Sequence, residues 1–284
     1  MNGNHTLRQS YEQVLGRIRN ACEAAGRPVG SVRLLAVSKA FPAGSVRALA
    51  TLGQRAFGEN YLQEALDKIA ACSDERSCVA DTGAPPASVR AAPGPSFEGP
   101  LEWHFIGPIQ SNKTRPIAVH FDWVHSVDRE KIARRLSEQR PAQRAALNLC
   151  VQVNVSGEAS KSGVAPGEVV ALALAVASLP RLRLRGLMAI PEPTEDAALQ
   201  RARYATLREL HAGVRAALAG AGAGAARDFD TLSMGMSADL ESAVMEGATI
   251  VRVGSALFGT RPAPKPEPGP SPDASLRSSL RSST

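Results

Sequence analysis

Aromatic residues are scarce in this sequence, at 4% of 284 positions. Proteins that bind single-stranded nucleic acid stack bases on aromatic side chains set among lysines and arginines, and no such stripe occurs here. The formal net charge of +6 comes from arginines scattered along the chain, whereas a nucleic-acid footprint clusters its positive charge. We therefore expect no nucleic-acid binding.

Cysteines are also few, and the four present (Cys22, Cys72, Cys78 and Cys150) have neither C-x-x-C spacing nor histidines at metal-ligand distances. They indicate reduced thiols and no metal site. The first residues lack the apolar core and cleavage motif of a signal peptide, and no apolar run approaches the roughly 20 residues that span a bilayer. We expect a cytoplasmic protein without a membrane segment.

Two segments lack a hydrophobic period. Residues 73–100 are rich in Ala, Pro, Gly and Ser, which predicts a disordered surface insertion. Residues 262–284 are rich in Pro and Ser and predict a disordered C-terminal tail. We expect neither segment to carry chemistry, and we assign residues 1–261 to one domain that contains the insertion.

The remaining sequence alternates short runs rich in Val, Ile and Leu with helical patterns, after an extra helix near the N-terminus. Eight such runs predict an α/β protein, a single (β/α)₈ TIM-type barrel, with an open doubly wound sheet as the alternative. The helix after the third run is expected to be short, around residues 111–120, because Pro116 limits it. The predicted strands are residues 32–39, 55–60, 101–107, 122–128, 147–156, 182–190, 229–235 and 249–259.

In such a barrel the active site forms where the strands end. Lys39 ends the first predicted strand, above apolar residues. Desolvation lowers the pKa of an amine and makes the neutral nucleophile available for a Schiff base, although a lysine that extends to the solvent is an equal alternative.

A turn of small residues, SMGMS, follows the seventh predicted strand. We predict that it leads into a helix over residues 238–246 with Ser237 as its N-cap. The turn could bind a phosphate or could simply cap the helix. Gly254 and Ser255 end the eighth strand, and barrel phosphate sites are often built from the loops after strands seven and eight.

Arg252 lies on the eighth strand between Val251 and Val253. Strand alternation puts it on the face opposite to the two valines, so it points into the barrel if they pack on the outer helices. A buried guanidinium needs an acceptor, either a carboxylate or the ring nitrogen of a heterocycle. A lysine, a phosphate-binding turn and an arginine together suit pyridoxal 5′-phosphate (PLP).

Seven motifs between residues 32 and 259 resemble the pyridoxal phosphate homeostasis proteins, whose fold is that of the alanine racemase barrel. They are LLAVSKAFP, FGENYLQEALDK, WHFIGPIQSNK, VQVNVSGEASKSG, LRGLMAI, SMGMSADLESAVMEG and TIVRVGSALFG. The resemblance implies a carrier or regulator of PLP and of amino- and keto-acid balance, with no catalytic residues. It implies a Schiff base on Lys39, a phosphate site on the loops after strands seven and eight, and a bond from Arg252 to the pyridine nitrogen. The implied cofactor-binding residues are Lys39, Asn60, Ser233, Met234, Gly235, Ser237, Arg252, Gly254 and Ser255.

A PLP-dependent amino-acid racemase is the alternative. Racemisation needs acid/base groups on both faces of the cofactor, and alanine racemase takes its second group, a tyrosine, from a C-terminal domain of a partner subunit. Here only the predicted tail follows the eighth strand, and Tyr61 is the one tyrosine near a strand end. We expect a monomer with PLP as ligand, and delivery to PLP-dependent apoenzymes stays open.

Three other features have simple interpretations. Residues 107–114, GPIQSNKT, fit seven of the eight positions of the phosphate loop G-x-x-x-x-G-K-[ST], but Asn112 replaces the second glycine, and we attribute the match to coincidence. His104 and His125 have no evident third ligand, so we expect ordinary barrel histidines. Lys161 is expected to be a solvated loop residue.

Overall fold

Eight parallel strands close into a barrel in chain order, with each strand hydrogen-bonded to the next and the eighth to the first. The computed structural model describes residues 2–73, 99–157 and 162–259. The strands are β1 (Arg33–Val37), β2 (Ala56–Glu59), β3 (Glu102–Phe105), β4 (Trp123–Val127), β5 (Leu147–Gln152), β6 (Leu182–Met188), β7 (Thr231–Ser233) and β8 (Ile250–Val253).

Helices follow the strands and cover the outside of the barrel. They are α1 (Asn2–Ala24), α2 (Ala43–Thr51), α3 (Leu62–Ser73), α4 (Thr114–His120), α5 (Glu130–Gln139), α6 (Val169–Ala177), α7 (Ala197–Ala221), α8 (Ala223–Asp228), α9 (Leu240–Met245) and α10 (Ser255–Phe258). Short 3₁₀ helices, Ser111–Lys113 and Pro166–Glu168, precede α4 and α6.

The predicted barrel, its eight strands and the N-terminal helix are confirmed. Each strand is shorter than its hydrophobic run, because the run continues into the loop at the C-terminal end of the strand. The last predicted run is the clearest case: β8 ends at Val253, and residues 255–258 form α10. The residues that follow these strands form the mouth of the barrel.

Strand alternation divides the core into two parts. Leu34 and Ala36 pack with the surrounding helices in the large outer cluster, whereas Leu35 and Val37 pack inside the barrel with Ile106. A parallel strand buried on both faces reads as a continuous apolar run, which explains the uninterrupted LLAV of β1.

The short helical segment predicted around residues 111–120 is confirmed, but its predicted cause and one predicted helix cap need correction. Pro116 does not end α4 but lies in its first turn, where backbone N–H groups have no partner within the helix, so the missing N–H of proline costs no hydrogen bond. The helix ends at Phe121, where the backbone becomes extended. Ser237 is not an N-cap, since α9 begins only at Leu240, after Asp239. The hydroxyl of Ser237 is thereby available to the mouth of the barrel.

Parts of three predictions fall outside the described residues. They concern residues 74–98 of the insertion, the whole of the tail 262–284, and Lys161. In the part of the chain that the structure describes, no helix is long and apolar enough to cross a membrane.

Candidate active site at the barrel mouth

A cavity of about 440 Å³ opens at the C-terminal end of the barrel. Its volume is within the range of about 300–1,000 Å³ that is usual for small-molecule sites. Its lining comes from the ends of six strands and their loops: Val37, Lys39, Phe41, Asn60, Ile106, Ile190, Met236, Ser237, Ala238, Arg252, Gly254, Ser255 and Gly259.

Arg252 lies at the inner end of this cavity with only 4% of its surface exposed. Val251 and Val253 pack in the outer cluster, so the prediction that Arg252 points inward is confirmed. Its acceptors among the described residues are neither a carboxylate nor a heterocycle: Nη1 donates to Ser233 Oγ at 2.9 Å and Nη2 to the Ala189 carbonyl at 2.8 Å. Burial lowers the pKa of Arg252. A guanidinium has five N–H donors, so donors remain for a ligand in the cavity.

Lys39 lines the cavity and is half-buried. The backbone of the residues on both sides of it is held by hydrogen bonds to charged side chains. The ammonium of Lys68 on α3 donates to the Ser38 carbonyl at 2.7 Å and to Glu59 Oε1 at 2.7 Å. The backbone N–H of Ala40 donates to Glu64 Oε1 at 2.6 Å, and Ala40 has a left-handed φ of 66°. Lys39 is thus presented from a backbone that is held in one conformation.

Glu59 forms the centre of these contacts and is completely buried. Burial raises the pKa of Glu59, and Lys68 together with the Ser38 hydroxyl at 2.6 Å partly opposes this rise. The network therefore supports β1 and β2 from the helix side of the barrel, and Glu59 does not line the cavity.

The loops after β7 and β8 meet at the wall of the cavity. Ser255 Oγ donates to Ser237 Oγ at 3.1 Å, and the N–H of Ala256 approaches the same oxygen at 3.4 Å. Gly235 has φ 90°, and a Cβ there would lie 2.5 Å from the Cβ of Ala243, so the turn accepts only glycine at this point. Two hydroxyls are thereby brought together at the cavity wall.

Asn60 lines the cavity, and its Oδ1 is buried without a hydrogen-bond partner among the described residues. A buried amide oxygen without a partner costs about 1–3 kcal/mol, so it favours a ligand that supplies a donor. Gly107 packs against the backbone of Asn60: a Cβ at Gly107 would lie 2.2 Å from the Asn60 carbonyl oxygen. This contact explains the glycine that begins GPIQSNKT, without any phosphate.

The nine residues predicted as cofactor contacts divide into two groups. Six line the cavity: Lys39, Asn60, Ser237, Arg252, Gly254 and Ser255. The other three lie outside its lining, and two of them, Ser233 and Met234, are fully buried; the three are Ser233, Met234 and Gly235.

His104 and His125 are buried and bonded to each other, with His104 Nδ1 2.8 Å from His125 Nε2. Within the described residues, no group of three or more His, Cys, Asp or Glu side chains could hold a metal ion. The three cysteines in that part of the chain, Cys22, Cys72 and Cys150, are buried thiols.

Comparison with known proteins matches this sequence to a family. The family model described as "Alanine racemase, N-terminal domain" matches residues 13–262. The pyridoxal phosphate homeostasis protein of Pseudomonas aeruginosa is 56% identical over 90% of this chain and 96% of its own length. The corresponding protein of Escherichia coli K12 is 44% identical over 91% of this chain and 98% of its own.

The chain belongs to the pyridoxal phosphate homeostasis protein family. Solved structures agree with this assignment. PipY of Synechococcus elongatus, solved with PLP bound, is 35% identical with a TM-score of 0.65, covering 86% of this chain and 99% of that one. A structure described as that of "an unknown protein from Bifidobacterium adolescentis" is 33% identical with a TM-score of 0.74, covering 90% of this chain and 95% of that one. Alanine racemase from Corynebacterium glutamicum, at 15% identity, shares the fold.

For this family member, sequence reasoning missed the apolar walls of the cavity. Phe41 stacks on Phe258 with ring centroids 4.9 Å apart, and Ile106 and Ile190 line other sides. Each lies at the end of a strand or within a few residues of it, so a search of the positions just past each strand would have found them. Met236 and Ala238 flank Ser237 and were passed over because their side chains carry no polar group.

Proposed function

We propose that this chain binds PLP in the cavity at the barrel mouth and acts as a carrier or regulator in PLP homeostasis. One observation carries the proposal: a lysine, a buried arginine and a pair of hydroxyls from different strand ends line a single cavity of suitable size. The names of the relatives and the PLP-bound PipY structure support the choice of ligand.

The cavity residues fit the cofactor in charge and shape. Ser237 and Ser255 would donate to the phosphate, together with backbone N–H groups of the turn that begins at Gly254. A Cβ at Gly254 would lie 3.1 Å from the Val37 carbonyl, so glycine allows this turn to pack closely on β1. Asn60 Oδ1, which has no partner among the described residues, would accept a bond from a ligand hydroxyl. Ile106 and Ile190 offer apolar contact to a ring.

Lys39 would hold the cofactor covalently, as a Schiff base formed from its neutral amine and the aldehyde with loss of water. The fixed backbone at Ser38 and Ala40 limits where the amine can reach, which favours one attachment geometry. Attachment through a lysine retains the ligand and remains reversible by exchange with another amine. Such reversible retention suits a carrier.

Arg252 would donate to the pyridine nitrogen. An arginine keeps its proton, so it disfavours protonation of the ring and weakens the electron withdrawal that carbanion chemistry requires. None of the three tyrosines, Tyr11, Tyr61 and Tyr204, lines the cavity, and Tyr61 is 55% exposed. The arginine limits the range of reactions without excluding racemisation, so it is the lack of a tyrosine in the cavity lining that supports a binding role over the alternative, a PLP-dependent racemase.

The test is a titration of the purified protein with PLP, followed by absorbance. We expect a yellow protein whose Schiff-base band disappears in Lys39→Ala. Lys113→Ala is the matched control, because Lys113 is an exposed lysine after β3 that does not line the cavity. A wild-type protein that stays colourless with added PLP would refute the proposal.

A racemisation assay with alanine and other amino acids separates the binding role from the enzyme. We expect no turnover at ordinary enzyme rates, about 1 s⁻¹ or more. Turnover at that rate would favour the racemase. Residence in the cytoplasm and a monomeric state stay predictions, to be tested by cell fractionation and by sedimentation of the purified protein.

A further inference from the structure

Six polar side chains form a continuous chain of hydrogen bonds along the inside of the barrel. Four of them are buried, and the two at the N-terminal end reach solvent. From the N-terminal face to the mouth they are Arg33, Glu102, His104, His125, Ser233 and Arg252.

The first half of this hydrogen-bond chain begins at the N-terminal face of the barrel. Arg33 on β1 donates to Glu102 Oε1 at 2.8 Å. The same oxygen lies 2.6 Å from His104 Nε2. Glu102 and His104 are two residues apart on β3, so alternation directs both side chains inward.

The second half reaches the cavity. His104 Nδ1 is 2.8 Å from His125 Nε2 on β4, and His125 Nδ1 is 2.8 Å from Ser233 Oγ on β7. Ser233 Oγ then accepts the bond from Arg252 Nη1 at 2.9 Å. Each bond is within normal hydrogen-bond distance, so the bottom of the barrel is linked to the cavity without a gap.

Glu102 determines which atom donates and which accepts at each bond of the hydrogen-bond chain. Burial raises the pKa of Glu102, but His104 and Arg33 together lower it to about 2, so the side chain is a carboxylate that only accepts. His104 must then donate from Nε2, which leaves Nδ1 as acceptor for the N–H of His125. His125 Nδ1 accepts in turn from the Ser233 hydroxyl. Burial lowers the pKa of both histidines, which favours the neutral rings that this pattern requires.

The reverse order of donors and acceptors fails at the bond between His104 and Glu102. A proton on His125 Nδ1 would require one on His104 Nδ1, which would leave His104 Nε2 bare against Glu102. Two acceptors would then face each other at 2.6 Å unless Glu102 were protonated. The carboxylate therefore selects one tautomer of each ring.

We propose that Ser233, His125 and His104 are positioning residues for Arg252: a one-way hydrogen-bond chain anchored on Glu102 holds the guanidinium so that its other donors face the ligand. The proposal rests on the proposed function, in which that ligand is PLP. Ser233 uses its single proton on His125, so its oxygen can only accept from Arg252, and the guanidinium has a fixed partner on that side.

The chain orients Arg252 and does not supply protons to the ligand. A proton would have to leave the guanidinium to reach the ring nitrogen, and arginine keeps its proton at any physiological pH. Its effect is therefore on ligand affinity and on the spectrum of the bound ligand.

The first test uses the ligand-free protein. ¹⁵N NMR of the histidine rings is expected to show His104 and His125 both neutral, each with its proton on Nε2. A proton on Nδ1 of His125, or an equal mixture of tautomers, would overturn the proposal. This measurement requires no PLP, so it decides the direction of the chain even if the proposed function fails.

The second test compares PLP affinity in Ser233→Ala and Ser137→Ala. Ser137 is a matched buried serine on α5 that donates to the Pro180 carbonyl at 2.6 Å, away from the barrel interior. We expect Ser233→Ala to bind PLP about tenfold more weakly, since it removes a bond to a charged group, and to shift the absorbance maximum of the bound ligand. Ser137→Ala should keep wild-type affinity and spectrum.

Equal affinity and spectrum in wild type and Ser233→Ala would overturn the proposal, as would an equal loss in both variants. If Ser233→Ala does not fold, His125→Asn replaces it. Asparagine can accept from Ser233 in the place of Nδ1 but loses the bond to His104. That variant is expected to weaken PLP binding, and wild-type affinity would refute the proposal. Wild-type protein that binds no PLP refutes the proposed function instead, and the histidine NMR then decides this inference alone.

Discussion

Acidification from pH 7.5 to 5.5 is expected to destabilise the protein through its two barrel histidines. Burial lowers the pKa of His104 and of His125 in the folded protein, whereas in the unfolded chain both have a pKa of about 6.5. Below pH 6.5 these two histidines therefore bind more protons in the unfolded state than in the folded state. The stabilisation is fully present above about pH 6.5 and is lost as the pH falls.

The size of this effect follows from linkage. A histidine that is neutral in the folded state down to pH 5.5 costs about 1.4 kcal/mol between pH 7.5 and 5.5, so about 3 kcal/mol is the upper limit for the pair. Domains of this kind have unfolding free energies of about 5–15 kcal/mol, so the loss is a large fraction of the total.

The assay is urea unfolding at the two pH values for wild type, His104→Gln and His125→Gln. The quantity compared is the difference in unfolding free energy between the two pH values, because the contributions of groups that do not contact the substituted histidine then cancel between the proteins. Each variant should lose less free energy than wild type on acidification, by up to about 1.4 kcal/mol. A pH-dependent loss that is the same in all three proteins would refute the reasoning.

Two backbone positions give further predictions. Ala40→Gly should raise the unfolding free energy by up to about 1 kcal/mol, because Ala40 has a left-handed φ of 66° that glycine adopts without strain. Urea unfolding measures this change, and a clear loss of stability would contradict the prediction. Gly107→Ala should lower the unfolding free energy by about 3 kcal/mol and weaken PLP binding, since the new Cβ would lie 2.2 Å from the Asn60 carbonyl oxygen. Gly44→Ala on α2, where a Cβ meets nothing within 4 Å, is the control and should stabilise by about 0.5–1 kcal/mol. Equal effects at Gly107 and Gly44 would contradict this account.

The barrel could be predicted from sequence because its signal is local. Each strand is a short apolar run, and eight runs alternating with helices have one common arrangement. The inward direction of Arg252 follows from the same local rule, since Val251 and Val253 must face the helices. The ends of the elements were less predictable, as Ser237 shows: its hydroxyl contacts Ser255 from the next loop instead of capping a helix.

The partners of Arg252 could not be predicted, because they come from elsewhere in the fold. Ser233 lies 19 residues away on a neighbouring strand, and the Ala189 carbonyl lies 63 residues away. The pairing of His104 with His125 depends likewise on the register between β3 and β4. The one local signal was the spacing of Glu102 and His104, which puts two polar side chains on the inward face of a buried strand.

The measurement that tests the central claim most directly is reductive trapping of the ligand. The protein is incubated with PLP, treated with borohydride, digested, and its peptides are analysed by mass spectrometry. The account predicts that the pyridoxyl group is found on Lys39 in wild type and in Lys113→Ala, and that Lys39→Ala carries none. Stoichiometric label on another lysine in the wild-type protein, or label retained in Lys39→Ala, would contradict it.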